Sequence, residues 1–162
     1  MSDRITEQDI LKDMDKYKHT TNAQVKFHEV DSFGVVHNIQ YFYFLEWART
    51  KYFEFIGMPL NHRTYTAENP IMTVRHVMDY FNPLYFTDYY DVLTRTKTIG
   101  NSSIVMENVI RMNSGKIAIK AEVTLVYMSD TDYRPTRLPD YMRNAIMMVE
   151  GDDLEIIESE PK

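Results

Sequence analysis

The chain has 162 residues, 44% of them hydrophobic and 13% aromatic, which is enough for one packed core and short for two ordinary domains. With 26% charged residues, five Gly and six Pro, it is neither collagen-like nor low-complexity nor wholly disordered. Eighteen Lys and Arg against 24 Asp and Glu leave a net charge of -6, which argues against a nucleic-acid partner held by bulk charge, and the absence of Cys removes disulfides, thiolate metal sites and cysteine nucleophiles.

The N-terminus is charged and has no apolar signal core, and apolar runs such as residues 41–45 are too short to span a bilayer, so the expectation is a cytoplasmic protein with no membrane insertion. Residues 5–17 place Ile5, Ile10, Leu11, Met14 and Tyr17 at roughly helical spacing, giving a short amphipathic helix or a mobile arm. Ala23, Val25 and Phe27 alternate with Gln24 and Lys26, the pattern of a half-buried strand over 23–27, and a loop follows over 29–34. Residues 38–56 are apolar and aromatic almost all round. They begin at Asn38, a favoured N-cap, and stop at Gly57 with Pro59 beyond, which predicts a long buried helix wrapped by other structure.

Strands are predicted over 72–81, 91–99, 103–112 and 116–128. In the last, Ile117, Ile119, Ala121, Val123, Leu125 and Tyr127 share one face. Gly100-Asn101 and Asn113-Ser114-Gly115 are short turn signals, so neighbouring strands run antiparallel. Residues 141–149 form a short helix, and the acidic tail frays. The organisation is a helix or arm over 1–20, one domain over 21–149 and an acidic tail over 150–162. Its class is α+β, with an antiparallel sheet curling around one helix.

No G-x-S-x-G elbow, Gly-rich phosphate loop or H-E-x-x-H occurs. His19, His28, His37, His62 and His76 never fall at i, i+4 or as H-x-H, so no metal site is expected. What remains is the run over 27–38, Phe-His-Glu-Val-Asp-Ser-Phe-Gly-Val-Val-His-Asn, leading into a helix that carries Glu46-Trp47-Ala48-Arg49. Asp31, then Gly34, Val35, Val36 and the Glu-x-Ala-Arg of the helix resemble the signature of acyl-CoA thioesterases of the 4-hydroxybenzoyl-CoA thioesterase type, which include the short-chain enzymes encoded with the bacterial Tol-Pal system. Tyr80-Phe81-Asn82-Pro83 and Arg134-Pro135-Thr136-Arg137-Leu138-Pro139 extend the likeness over 23–139.

The resemblance implies a hotdog fold, a homodimer or dimer of dimers with the site at the protomer interface, and an acyl-CoA substrate. CoA is then part of the substrate, and no separate cofactor is needed. It also implies Asp31 as nucleophile or general base, and Glu46, on the helix, as the second carboxylate, although its spacing favours pairing with Arg49 or Thr50 over a role as base. Gly34, Val36, Lys97 and Ser103 are assigned to substrate binding, although Gly100-Asn101-Ser102 stands where some members have a basic cluster. His37 either hydrogen-bonds the thioester, orients Asp31 or caps the helix.

The chemistry is coherent with the residues themselves. Asn38 at a helix start leaves backbone N–H groups unpaired at the positive end of the macrodipole, an oxyanion hole for a carbonyl gaining charge. A thioester expels a thiol of pKa about 8.5, so one carboxylate suffices without a triad. Arg95, Lys97, Arg111, Lys116, Arg134 and Arg137 are candidate cations for the phosphates of CoA. Tyr41, Phe42, Phe44, Phe53, Met72, Met78 and Tyr80 crowd the acyl site and favour short, medium or aromatic acyl groups. Two rival readings are a hotdog hydratase or dehydratase, whose H-F-P-G-x-P and D-x-N-P-x-H patterns are absent, and a non-catalytic acyl-CoA-binding module.

Overall fold

The apolar stretch at the centre of the sequence forms α2 (Asn38–Phe55) in the computed structural model, which describes residues 5–58 and 70–157. Pro59, His62 and the end of the acidic tail lie outside the described residues. The helix stops in a Schellman motif: the Met58 N–H donates to the Phe53 carbonyl at 2.7 Å and the Gly57 N–H to the Glu54 carbonyl at 3.1 Å. That geometry puts Gly57 at φ +83, which is why glycine stands there. At the other end the cap is His37 and not Asn38. The extended His37 backbone lets its Nδ1 accept the Ile39 N–H at 3.4 Å, and Asn38 becomes the first helical residue.

Around α2 the chain supplies α1 (Glu7–Lys12), β1 (His19–Gln24), β2 (Ile71–Tyr80), β3 (Tyr89–Ile99), β4 (Ser103–Met112), β5 (Ile117–Tyr127), α3 (Asp140–Glu150) and β6 (Glu155–Ile156). The sheet order is β1-β3-β4-β5-β2, antiparallel throughout, with β6 added parallel beside the end of β3. Both predicted turns join neighbours in the β3-β4-β5 meander. The first strand lies earlier than expected. Phe27 falls in the 3-10 turn Phe27–Glu29, because the Glu29 carboxylate accepts the Lys26 N–H at 2.7 Å and curls the chain away from the sheet.

The sheet covers α2 from one side only, so the expectation of a helix wrapped on every face is corrected. Tyr41, Phe44, Leu45, Ala48, Tyr52 and Phe53 are buried, whereas Ile39, Tyr43 and Trp47 are 51%, 60% and 57% exposed. The first half of α2 packs on Val92, Ile110, Ile119 and Leu84, and the second half on Ile99, Met106, Val123 and Leu138 with Met142 and Ile146 of α3. On the opposite sheet face Ile10 of α1 buries against Leu93, Val109 and Ile117. A six-residue helix is too short to persist alone, and this docking holds it.

Ile117 reaches that outer face because the register shifts from Ile110↔Ile119 to Arg111↔Ile117, leaving Ala118 as an extra residue. It therefore does not share a face with Ile119, as strict alternation had predicted. Nor does the start of the acidic tail fray. Glu150 is 2% exposed and accepts the Tyr52 hydroxyl at 2.5 Å and the Thr96 N–H at 2.7 Å, and burial raises its carboxyl pKa. Asp153 pairs with Lys18, and β6 follows on the edge of β3.

Candidate active site

The loop after β1 is tied into a tight turn. The Asp31 N–H donates to the Val35 carbonyl at 2.9 Å, and the Gly34 N–H donates back to the Asp31 carbonyl at 3.0 Å. Gly34 sits at φ +75, but no atom lies within 4 Å of where its Cβ would stand. Glycine is there for backbone sign, and the close approach expected from the sequence is absent within the chain. The Asp31 Oδ1 accepts the Phe33 N–H at 2.8 Å, which orients the carboxylate and leaves Oδ2 for a ligand.

From this turn the chain is delivered to the helix by bonds that leave it little freedom. The Val36 N–H donates to the Leu84 carbonyl and the His37 N–H to the Glu29 carbonyl, each at 2.9 Å. Asp31, Val35, Val36, His37, Asn38 and Tyr41 therefore line one cleft, of about 460 Å³, together with Tyr80, Phe81, Asn82 and Pro83. At the helix start, the Ile39 N–H is taken by His37 Nδ1 and the Gln40 N–H by the His37 carbonyl at 2.8 Å. Among the described residues this leaves the Asn38 N–H without a backbone partner at the positive end of the dipole, and Asn38 lines the same cleft as Asp31.

The cleft thus unites Asp31, Val36, His37 and Asn38, with Gly34 shaping their turn, and it does not bring in the other three predicted site residues. Glu46 is exposed further along α2 and lines neither this cleft nor the larger one of about 610 Å³ between α2 and β1; Thr50 bonds its backbone carbonyl. Lys97 points into an ion network on the outer sheet face, 3.4 Å from Glu107 and 3.3 Å from Glu122. Ser103 opens β4 beside Gly100, where a Cβ would stand 2.6 Å from the Ser103 Oγ, so the pair serves the hairpin turn.

The expected phosphate-binding cations are largely committed to carboxylates: Arg95 to Glu107 at 2.7 Å, Arg111 to Asp91 at 2.8 Å, Arg134 to Asp132 at 3.7 Å and Arg137 to Asp140 at 2.8 Å. Lys116 is exposed and forms no ion pair among the described residues. Of the predicted acyl-site residues, Tyr41 and Tyr80 line the cleft, their rings edge-to-face at 5.5 Å, and burial raises both hydroxyl pKa values. Phe44 lines the larger cleft, Phe53 is core, Phe42 packs on His76 and Met72 is exposed. Asn82, which no sequence argument singled out, proves to be a cleft residue. Its only sequence signal was its place in Tyr-Phe-Asn-Pro. Among the described residues no three His, Asp or Glu side chains gather as a metal site would require. No described helix is long and apolar enough to cross a membrane.

Residues 25–146 match the thioesterase-like superfamily. The chloroplastic acyl-acyl carrier protein thioesterase ATL2 of Arabidopsis thaliana is 28% identical over 130 residues, 78% of this chain, and the chain spans 66% of that relative's length. A thioesterase from Thermus thermophilus, solved with coenzyme A and Zn, is 29% identical with a TM-score of 0.73, covering 84% of this chain and 96% of the neighbour. The 1,4-dihydroxy-2-naphthoyl-CoA thioesterase Slr0204 of Synechocystis, 19% identical with a TM-score of 0.73 over 78% of this chain and 93% of its own, shares the fold. A sheet packed on one long helix and a superfamily match over most of the length lead to one conclusion: the chain belongs to the thioesterase-like superfamily and has its hotdog fold.

Proposed function

We propose that the chain hydrolyses the thioester of a short, medium or aromatic acyl group carried on CoA or on acyl carrier protein. The observation that supports this reading is that Asp31 and Asn38 line one cleft at the start of α2. Asp31 Oδ2 takes a proton from the attacking water, or attacks the thioester carbon itself and is released by water. In both cases the Asn38 N–H donates to the carbonyl oxygen as it gains charge, the C–S bond breaks, and the thiolate leaves to be protonated. The Arabidopsis relative acts on acyl-acyl carrier protein and the Thermus neighbour holds coenzyme A, which supports a pantetheine-borne substrate. The absence of Cys fits a reducing compartment such as the cytoplasm.

Turnover of acetyl-, butyryl-, hexanoyl-, benzoyl- and palmitoyl-CoA, with the released thiol trapped by a disulfide reagent, tests the reading. A pocket that admits long chains gains about 0.8 kcal/mol per methylene. With the Tyr41 and Tyr80 rings lining the cleft, kcat/KM should instead level off or fall beyond the medium chains. A continued rise to palmitoyl would refute the crowding, and binding without thiol release from any member would favour the non-catalytic acyl-CoA-binding reading.

The sheet ends at β2, whose outer edge is unpaired among the described strands and whose Met72 and Val74 are 44% and 59% exposed. An edge of this length invites isologous pairing with the same strand of a second copy, and we assign the homo-oligomer to it. Sedimentation at micromolar concentration should show a dimer or a dimer of dimers, and a fully active monomer would contradict the assignment.

A further inference from the structure

The superfamily match begins at residue 25, so α1 lies outside it, yet α1 reaches the wall of the Asp31 cleft. The Glu7 Oε1 accepts a hydrogen bond from Asn82 Nδ2 at 2.7 Å, and Nδ2 also donates to the Ile117 carbonyl at 2.7 Å. The second Glu7 oxygen accepts the Ile117 N–H at 3.3 Å. The backbone is held as firmly, since the Phe81 and Asn82 N–H groups converge on the carbonyl of Ala118 at 2.9 and 3.3 Å.

These bonds fix the orientation of the Asn82 amide. A carboxylate and a carbonyl are acceptors only, so the atom between them is the nitrogen, and both of its hydrogens are consumed. The planar amide places Oδ1 on the other side of Cγ from those partners, as the acceptor the side chain has left to offer, and Asn82 lines the cleft that holds Asp31 and Asn38. We infer that Asn82 is a substrate-binding residue whose Oδ1 accepts an amide N–H of the pantetheine arm, and that Glu7 is the positioning residue that holds it there. Pantetheine is the linker common to CoA and acyl carrier protein. Its sulfur is two methylenes from a secondary amide, so an acceptor on the cleft wall can read that N–H while Asp31 acts at the thioester.

The inference rests on the thioester-hydrolase reading, and substrate truncation separates the two. Asn82→Ala and Glu7→Ala are assayed on an acyl-CoA and on the S-ethyl thioester of the same acyl group, which lacks every pantetheine amide. The loss of one neutral hydrogen bond should raise KM for the acyl-CoA roughly fivefold to tenfold, and the loss in kcat/KM should exceed that on the ethyl thioester by about fivefold. Glu7→Gln keeps one oxygen for Nδ2 and should recover most of the Glu7→Ala defect. Equal losses on the two substrates would overturn the inference, reducing Asn82 to a packing role, while leaving the thioesterase reading intact. A wild-type protein inert toward every thioester would remove both.

Discussion

Asp31→Asn is expected to lower the kcat for thioester hydrolysis by roughly two to four orders of magnitude, the range over which a positioned acid or base acts. The substitution is nearly isosteric, and the amide oxygen can still accept the Phe33 N–H that the Asp31 Oδ1 accepts at 2.8 Å, so the turn closed by Gly34 survives. What disappears is the negative charge, and with it both the proton acceptor and the nucleophile. The thermal midpoint should therefore stay within the scatter of the wild type, and KM should move far less than kcat. A folded Asn variant with full activity would sink the mechanism and direct attention to Glu46 on α2, which in a single chain does not line the cleft.

The largest effect on stability is expected on the outer sheet face. Glu107 is 4% exposed and Arg95 8%, joined by hydrogen bonds from Arg95 Nε at 2.9 Å and Nη2 at 2.7 Å, with Lys97 and Lys120 each 3.4 Å from the other Glu107 oxygen. Glu107→Leu would leave Arg95 and Lys120 without their carboxylate while Lys97 keeps Glu122, and breaking a buried pair in this way costs about 3–5 kcal/mol. In a chain of this size that is a fall in Tm of roughly 6–20 °C. Replacing Arg95 and Glu107 together by leucine should restore much of it, because the desolvation of both charges is then avoided. A loss below about 1 kcal/mol for the single variant would show that the network behaves as a solvated surface pair.

The same group imposes a pH dependence. Burial alone would raise the Glu107 carboxyl pKa, yet the hydrogen bond and charge of Arg95, with Lys120 and Lys97, hold it below its ordinary value. A folded pKa below the unfolded one means that Glu107 stabilises the fold above the unfolded value of about 4.5 and that this contribution is lost as pH falls through the folded value. The acid limb of the stability curve should accordingly flatten in Glu107→Leu.

The parts of this protein that were legible in the sequence are those governed by short-range chemistry. The glycine stop at Gly57, the two meander turns and the passage from Asp31 through Gly34 into α2 each depend on a few consecutive residues, whose backbone and hydrogen-bonding preferences act locally. The nearness of Asp31, His37 and Asn38, which line one cleft, was readable for the same reason, since they stand within one loop and the helix turn that follows it. Other features were decided by partners far away in the chain. Glu7 meets Asn82 across 75 positions, and Tyr52 meets Glu150 across 98, which turns a predicted arm and a predicted frayed tail into packed structure. Ala118 breaks the alternation of β5 only because β4 pairs with it in a shifted register, and Lys97 faces Glu107 and Glu122 only because three strands align them. A charge or an apolar side chain carries the same local propensity wherever it stands, and which partner neutralises or buries it is settled only when the sheet and helices pack together.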